Sequence, residues 1–169
     1  MGIGPVDGRV MLKIRRKITA QPEFHFLTAG DDREGASADF LVTARARQVR
    51  GVIRESPRPV LLRRDYDERA IWDAAGISNG VITGRPPLGA SAIEVVTALG
   101  VLHLRTLFPP PQESRWMLSR IDLERPLAAD EMAPVTITLR QHVGGRMTRS
   151  TIAGREGTLG SMEFVLAPA

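Results

Sequence analysis

Apolar and polar side chains alternate along the first part of the chain. Val10, Leu12 and Ile14 occupy every second position, a period typical of a strand that buries one face. Residues 23–28 and 38–49 show the same period. The pattern therefore predicts three strands before the first helix, the third of them long and continuous.

Two helices are predicted in the middle of the chain. Residues 67–75 form a short helix, and a longer one covers residues 91–107, where Ser91 and Glu94 make a capping-box pair. The apolar residues of the longer helix recur at helical spacing: Ile93, Val96, Leu99 or Gly100, Leu104 and Leu107. Residues 79–89 hold three glycines and two prolines, so we predict a loop there.

The chain after the prolines at 109–111 predicts an antiparallel meander. Four segments read as strands: 115–125, 134–143, 146–153 and 158–166. Gly144-Gly145 is a two-residue hairpin turn between the second and the third. A single apolar helix must be covered on most sides, and a curved antiparallel sheet does this economically. The fold class is therefore α+β.

Length and composition favour a single domain over residues 1–169, with residues 1–9 flexible. Without cysteine, the chain has neither disulfides nor thiolate metal ligands. No histidine or carboxylate spacing predicts a metal site, no glycine-rich loop fits a phosphate, and no cofactor is expected. The chain shows no signal peptide and no apolar run of membrane-spanning length, so we expect a cytoplasmic protein and no membrane partner.

The positive charge of the chain is almost entirely arginine. The net charge is +4, and Lys13 and Lys17 are the only lysines. One interpretation is that the base composition of the genome favours arginine over lysine. The other is that the arginines bind an acidic partner, such as a carrier protein or coenzyme A phosphates. Acidic residues are scattered among the arginines and aromatics are few, which argues against a nucleic-acid partner.

Two stretches resemble the bacterial 3-hydroxyacyl-ACP dehydratases of the hotdog superfamily. They are Gly84-Arg85-Pro86-Pro87-Leu88-Gly89-Ala90-Ser91-Ala92-Ile93-Glu94 and Ile121-Asp122-Leu123-Glu124-Arg125-Pro126-Leu127-Ala128-Ala129-Asp130. The resemblance covers residues 84–169, whereas residues 63–79 look like an insertion. It implies a hotdog fold, a long central helix wrapped by a curved antiparallel sheet, and a homodimer acting on acyl-ACP or acyl-CoA in fatty acid or polyketide metabolism.

The resemblance also implies which residues form the site. In the family a loop histidine, a helix glutamate and a backbone N–H at the helix start divide the work of base, acid and carbonyl polarisation. Glu94 matches the glutamate and Gly89 the residue that supplies the amide. The same match gives the substrate-binding residues Val81, Gly84, Arg85, Pro86 and Arg125.

The loop histidine is absent from this chain. Val81 or Gly80 stands at its position, depending on the alignment, and Asn79 is the nearest polar residue. We interpret the three histidines structurally: His103 as a core residue of the long helix, His142 as exposed beside a turn, and His25 as an ordinary strand residue.

Three functional hypotheses remain for an acyl-thioester-handling protein. The first is a protein that is dehydratase-like in descent with altered chemistry. The second is a thioesterase, in which Gly89 and Glu94 act on the thioester and Asn79 orients a water. The third is a non-catalytic acyl-binding pseudoenzyme.

Overall fold

The computed structural model describes residues 8–16, 21–28, 30–44, 47–58, 67–86, 90–125, 127 and 132–168. The chain divides into two compact units. Unit 1 comprises Met1–Arg64 and Ser119–Pro126, and unit 2 comprises Asp65–Leu118 and Leu127–Ala169. The single domain inferred from the sequence stays a prediction.

Unit 1 is an antiparallel sheet, and its described residues contain no helix. Its strands are β1 (Gly8–Ile14), β2 (Pro22–Phe26), β3 (Ala38–Ala44), β4 (Arg47–Glu55) and the second half of β7 (Ser114–Leu123). Their order is β2-β4-β3-β1-β7. The strand predicted at Val10, Leu12 and Ile14 is confirmed, and it begins at Gly8, inside the segment expected to be flexible.

The prediction of one continuous strand over residues 38–49 is wrong. β3 and β4 are antiparallel neighbours with Ala44 opposite Arg47, so the chain reverses between these residues. The apolar positions change from even to odd numbers at this reversal, since Val42 and Val49, seven residues apart, lie opposite each other on the same face. That shift is the local signal the prediction overlooked, because no glycine, proline or asparagine stands at the turn to draw attention to it.

The register of unit 1 places apolar side chains on one face of its sheet. Opposed residues of antiparallel strands share a face, and these sets define the apolar face: Val10, Leu12, Ile14, Phe24, Phe26, Ala38, Phe40, Val42, Val49, Ile53, Ile121 and Leu123. Ala38, Ile53 and Ile121 are buried, whereas Phe24 and Phe26 are exposed. The apolar face is thus least covered at β2.

Unit 2 combines two helices with an antiparallel sheet. Its elements are α1 (Glu68–Asp73), β5 (Gly76–Ser78), β6 (Val81–Gly84), α2 (Ala92–Leu107), the first half of β7, β8 (Val135–Val143), β9 (Met147–Gly154) and β10 (Gly157–Pro168). Neighbouring strands follow the order β10-β9-β8-β6-β5. Both helices, the closing strands and the Gly144-Gly145 turn are confirmed.

The prediction of a loop over all of residues 79–89 is wrong, because β6 lies within it. β5 and β6 form a hairpin in which Ser78 opposes Val81. Its two-residue turn, Asn79-Gly80, has φ of 52° and 72°, the left-handed values that a two-residue hairpin turn of this kind requires. Asn-Gly is itself a hairpin signal, and the surrounding glycines and prolines obscured it.

Helix α2 buries nearly half of its residues. Seven of its residues are buried: Val95, Val96, Ala98, Leu99, Gly100, His103 and Leu104. Ile93, expected on the buried side, is 40% exposed, because the helix turns its Val95 and Ala98 side inward instead.

Two glycines allow close packing around α2. A Cβ on Gly100 would lie 2.7 Å from Cζ of Phe164 and 2.9 Å from Cε of Met162, both on β10. A Cβ on Gly84 of β6 would lie 2.8 Å from Cδ2 of Leu99. The helix therefore touches two strands at positions where a side chain would hold them apart.

We predict that Gly100→Ala destabilises the protein. Overpacking against the buried Phe164 ring costs about 1–3 kcal/mol, which exceeds the gain of about 1 kcal/mol from replacing a helical glycine. The free energy of unfolding, measured by urea denaturation, should therefore fall by up to about 2 kcal/mol. Gly76→Ala is the control, since nothing lies within 4 Å of its added Cβ. A Gly100→Ala protein more stable than wild type would contradict this packing.

Candidate functional site

The start of α2 carries the carboxylate that the sequence singled out. The Ser91 N–H donates to Oε2 of Glu94 over 2.6 Å, and the Ser91 hydroxyl donates to the same oxygen over 2.7 Å. The Glu94 N–H in turn points to the Ser91 hydroxyl at 3.4 Å. The predicted capping box is confirmed, and it holds a half-buried carboxylate at the N-terminus of the most buried helix.

The helix-start amide predicted at Gly89 lies outside the described residues. Directly before the helix, the structure describes Ala90 and Ser91, and both are half-buried. N–H groups of the first helical turn have no partners within the helix, and the helix dipole favours negative charge there. The polarising role of Gly89 therefore stays a prediction.

β6 runs alongside α2 in the opposite direction. The Gly80 carbonyl lies beside the His103 imidazole, and Gly84 at the other end of the strand packs on Leu99. Nine residues separate Glu94 from His103, which is about 13 Å along the helix axis. The Asn79 turn thus lies beside the second half of α2, and the structure does not bring Asn79 and Glu94 of one chain together.

The other predicted substrate-binding residues differ in exposure. Val81 is half-buried in β6 opposite Thr138, and Gly84 is buried, where it permits the contact with Leu99. Arg85 is exposed and Pro86 is half-buried. Arg85 and Pro86 lie between β6 and α2. They are therefore closer in sequence to the capped helix start than Val81 and Gly84 are.

His103 is a core residue, as the sequence suggested. Its side chain is fully buried, and neither ring nitrogen has a hydrogen-bond partner of good geometry among the described residues. Burial lowers the pKa of His103 from its ordinary 6.5, and the nearby Gly80 carbonyl opposes this only in part. The imidazole is therefore held neutral inside unit 2.

Of the remaining histidines, His142 is exposed and His25 is half-buried. His142 on β8 stacks on Phe108 with ring centroids 3.8 Å apart, and Phe108 is the residue that ends α2. His25 on β2 of unit 1 lies 3.8 Å from Glu23, with 42% of its side chain exposed. The two imidazoles of unit 2, those of His103 and His142, thus lie beside the second half of α2, away from Glu94.

The Ile121-Asp122 motif places a buried carboxylate in unit 1. Arg9 donates to both oxygens of Asp122 over 2.8 and 2.7 Å, and Arg120 donates over 3.2 Å. The hydrogen bond from Arg9, opposed by burial, lowers the pKa of Asp122. Sequence reasoning missed this pair, although the alternation along β1 places Arg9 on the polar face. Arg125, two residues beyond β7, is half-buried.

Unit 1 also holds an open polar cleft of about 390 Å³. Its lining residues are Leu27, Thr28, Gly30, Asp31, Arg33, Gln48 and Arg50. None of them was predicted as a site residue. Among the described residues, no three histidines or carboxylates group as metal ligands, and no helix is long and apolar enough to cross a membrane.

The fold is similar to solved structures of low sequence identity. The dehydratase domain of PpsC from Mycobacterium tuberculosis, solved in complex with C12:1-CoA, matches with a TM-score of 0.52 and 10% identity, covering 99% of this chain and 78% of that chain. Acyl-CoA thioesterase II TesB2 from Mycobacterium marinum matches at 0.46 and 12%, covering 100% and 83%. A conserved protein of unknown function with a hot dog fold from Alicyclobacillus acidocaldarius matches at 0.42 and 9%, covering 98% and 80%.

No protein-family model and no curated protein sequence matches the chain. The similarity to the PpsC dehydratase domain, at 10% identity, is one of fold alone, and it agrees with the hotdog fold that the resemblance implies. It agrees with the large antiparallel sheet and the long helix α2.

We predict that His103 makes the stability of the protein depend on pH. The unfolded chain binds a proton at the ordinary pKa of 6.5, whereas the folded chain resists protonation until a lower pH. Stability is thus complete above about pH 6.5 and falls below it by up to about 1.4 kcal/mol per pH unit, until the pH reaches the lowered pKa. Denaturant unfolding at about pH 7.5, 6.5 and 5.5 measures the slope of the free energy of unfolding against pH.

His103→Leu should flatten that slope, since it removes the buried titrating group without leaving a cavity. His142→Gln is the control and should keep the wild-type slope, because His142 is exposed. An unchanged slope in His103→Leu would show that other groups carry the pH dependence.

Proposed function

We propose that this chain handles acyl thioesters, carried on an acyl carrier protein or on coenzyme A, and that it is dehydratase-like in descent with altered chemistry. The observation that carries the proposal is the Glu94 carboxylate, fixed by Ser91 at the start of a buried helix. In a hotdog-type fold this is the position at which the resembled family holds its acidic residue. The site comprises Glu94, Gly89 and the segment that precedes them.

Thioester hydrolysis is the reaction that fits this set of groups best. Dehydration needs a base at the carbon next to the carbonyl and an acid at the departing hydroxyl, and no imidazole of unit 2 lies at the described helix start. Hydrolysis needs one carboxylate: Glu94 accepts a proton from water as the water oxygen bonds to the thioester carbon. The carbon–sulfur bond then breaks, and the thiolate leaves with that proton.

The remaining predicted residues enter the proposal as binding groups. The Gly89 N–H would polarise the thioester carbonyl, as unpaired helix-start amides favour developing negative charge. Val81, Arg85, Pro86 and Arg125 would contact the acyl chain or its carrier, whereas Gly84 acts through its packing on Leu99. Asn79 would orient the water only from the second subunit of a homodimer.

A non-catalytic acyl-binding protein is the second candidate. It is favoured by the double hydrogen bond that Ser91 makes to Oε2 of Glu94, because a carboxylate occupied in a capping box has a structural reason to be there. Such a protein would hold an acyl chain along the apolar residues of α2 without turning it over. The homodimer, the cytoplasmic location and a place in fatty acid or polyketide metabolism belong to both candidates as proposals.

Glu94→Gln separates these two candidates. If the carboxylate takes a proton from water, the substitution should lower turnover on the best acyl thioester by about 100-fold or more, the size of one general acid–base contribution. The free energy of unfolding should change by less than about 1 kcal/mol, since glutamine also serves in capping boxes. Release of the free thiol from a panel of acyl-CoA and acyl-ACP substrates measures turnover.

Glu113→Gln is the matched control, an exposed carboxylate six residues beyond α2 whose loss should leave turnover unchanged. Undiminished turnover in Glu94→Gln would remove Glu94 from the chemistry. A wild-type protein that binds acyl thioesters and hydrolyses none of them would assign the chain to the non-catalytic candidate.

A further inference from the structure

The polar cleft of unit 1 continues into a second hollow. The cleft measures about 390 Å³ and the hollow about 260 Å³, and both are lined by Leu27, Arg33 and Arg50. Together they form one groove, to which the segment between β2 and β3 contributes Thr28 and Asp31 as well. None of these residues belongs to the candidate site at the start of α2.

One row of opposed residues crosses the strands that line this groove. Leu41 of β3 lies opposite both Arg50 of β4 and Met11 of β1. The Leu27 N–H donates to the Arg50 carbonyl over 2.9 Å, so Leu27 continues the row beyond β4. Neighbouring strands lie about 4.8 Å apart, and the row therefore spans roughly 14 Å. Its three apolar side chains are half-buried, so the groove offers an apolar strip that one guanidinium group interrupts.

In the described part of unit 1, the two arginines of the groove have no carboxylate partner. Arg50 donates through Nε and Nη2 to the side-chain oxygen of Gln48, over 3.3 and 3.0 Å. That oxygen is neutral, so it orients the guanidinium group without cancelling its charge. The Arg33 side chain has no hydrogen bond or ion pair to any described residue. By contrast, Arg9 and Arg15 of the same unit each meet a carboxylate over 2.7 Å.

The net charge of the groove is a single positive charge. Oδ2 of Asp31 accepts from the Thr28 N–H over 2.5 Å and from the Thr28 hydroxyl over 2.8 Å. These hydrogen bonds lower the pKa of Asp31, so its carboxyl group is ionised at neutral pH. The other carboxylate of the lining, Asp39, is already paired with Arg15. The two groove arginines exceed the charge of Asp31 by one, and one monoanion would neutralise the groove.

We propose that this groove binds a carboxylic acid with an unbranched apolar chain. Arg33 and Arg50 hold its carboxylate, and its chain lies over Leu41 and Met11. The site adds to the proposed function and does not depend on the reaction at Glu94, although the acid that thioester hydrolysis releases would belong to this class of ligand.

A carboxylate fits these charges better than a phosphate group does. Both accept paired hydrogen bonds from guanidinium groups. A phosphate monoester carries a charge of about −1.5 to −2 at neutral pH, and coenzyme A carries several phosphate charges. Either would bring more negative charge than the groove neutralises, and the excess would lie beside the ionised Asp31.

The length of the apolar row predicts how affinity depends on chain length. Each methylene group fully removed from water raises affinity by up to about 4-fold. The row ends after Met11, which lies opposite the charged Asp122 of β7. Affinity should therefore rise from hexanoate to decanoate and change little from decanoate to tetradecanoate.

An amide chemical-shift titration with decanoate tests the groove. The largest shifts should fall on Thr28, Arg33 and Arg50, with a dissociation constant on the order of 100 μM. Arg33→Gln and Arg50→Gln should each weaken binding about 10-fold, because each removes a charge-assisted hydrogen bond. Arg47→Gln is the matched control and should bind like wild type: Arg47 is exposed on β4 and lies opposite Ala44, outside the groove. Circular dichroism establishes that each variant is folded.

Two further measurements test the charge while leaving both arginines in place. Gln48→Glu sets a carboxylate against Arg50 and should weaken decanoate binding about 10-fold, the contribution of one charge-assisted hydrogen bond. Decan-1-ol has the same chain without the charge, and wild-type protein should bind it about 10-fold more weakly than decanoate. Equal affinities for decanoate and decan-1-ol would reduce the groove to an apolar surface and overturn the proposal.

Three other results would also overturn it. One is the absence of shifts at Thr28, Arg33 and Arg50 when decanoate is raised about 10-fold above the expected constant. Another is full binding in both Arg33→Gln and Arg50→Gln. The third is displacement of decanoate by an equal concentration of inorganic phosphate or coenzyme A, which would assign the groove to phosphate groups. Hydrolysis of acyl thioesters is measured on separate samples, so failure of the proposed reaction leaves this result standing.

Discussion

Close contact between α2 and the strands around it determines the geometry of unit 2. Gly100 lets the helix meet Phe164 on β10, and Gly84 lets β6 meet Leu99. Trp72 of α1 adds a hydrogen bond from its indole N–H to the Ala98 carbonyl, over 3.0 Å. These contacts at Ala98, Leu99 and Gly100 fix the middle of the helix. The capping box closes its first turn, about one and a half turns before Ala98.

The same packing places both imidazoles of unit 2 beside the second half of the helix. His103 is buried beside Gly80, where it is held neutral and away from solvent. His142 stacks on Phe108 at the opposite end from Glu94. In the described part of unit 2 no imidazole lies at the helix start, whereas a dehydration needs a base at the carbon next to the carbonyl and an acid at the departing hydroxyl. The absence of histidine from the loop therefore changes the expected reaction more than the expected fold.

Much of this architecture was predictable from local pattern. The capping-box pair at Ser91 and Glu94, the helical period after it and the Gly144-Gly145 turn each carry their signal within a few residues. The hairpin between β3 and β4 was missed because no turn residue stands between the strands, and its one local signal is the change of apolar positions from even to odd numbers before Val49. The β6 strand was hidden by the glycines and prolines around it, one of which, Gly84, is there for packing. Ile93 was misplaced because period alone does not say which side of an apolar helix faces outward.

The candidate site was predictable in part for a similar reason. Glu94 and its partner lie on one turn, so their contact follows from spacing. The separation between Asn79 and Glu94 depends instead on how β6 runs beside α2, which no spacing rule gives. Asp122 and Arg9 meet across 113 residues, and their pairing needs the register of β1 against β7.

We propose that the start of α2 receives the thioester group. The most direct test is an amide chemical-shift titration with a non-hydrolysable acyl thioether of coenzyme A. We predict that the largest shifts fall on the amides of residues 90–95, and that Glu94→Gln weakens or redirects them. Shifts confined to the polar cleft of unit 1, with the amides of residues 90–95 unmoved, would contradict it.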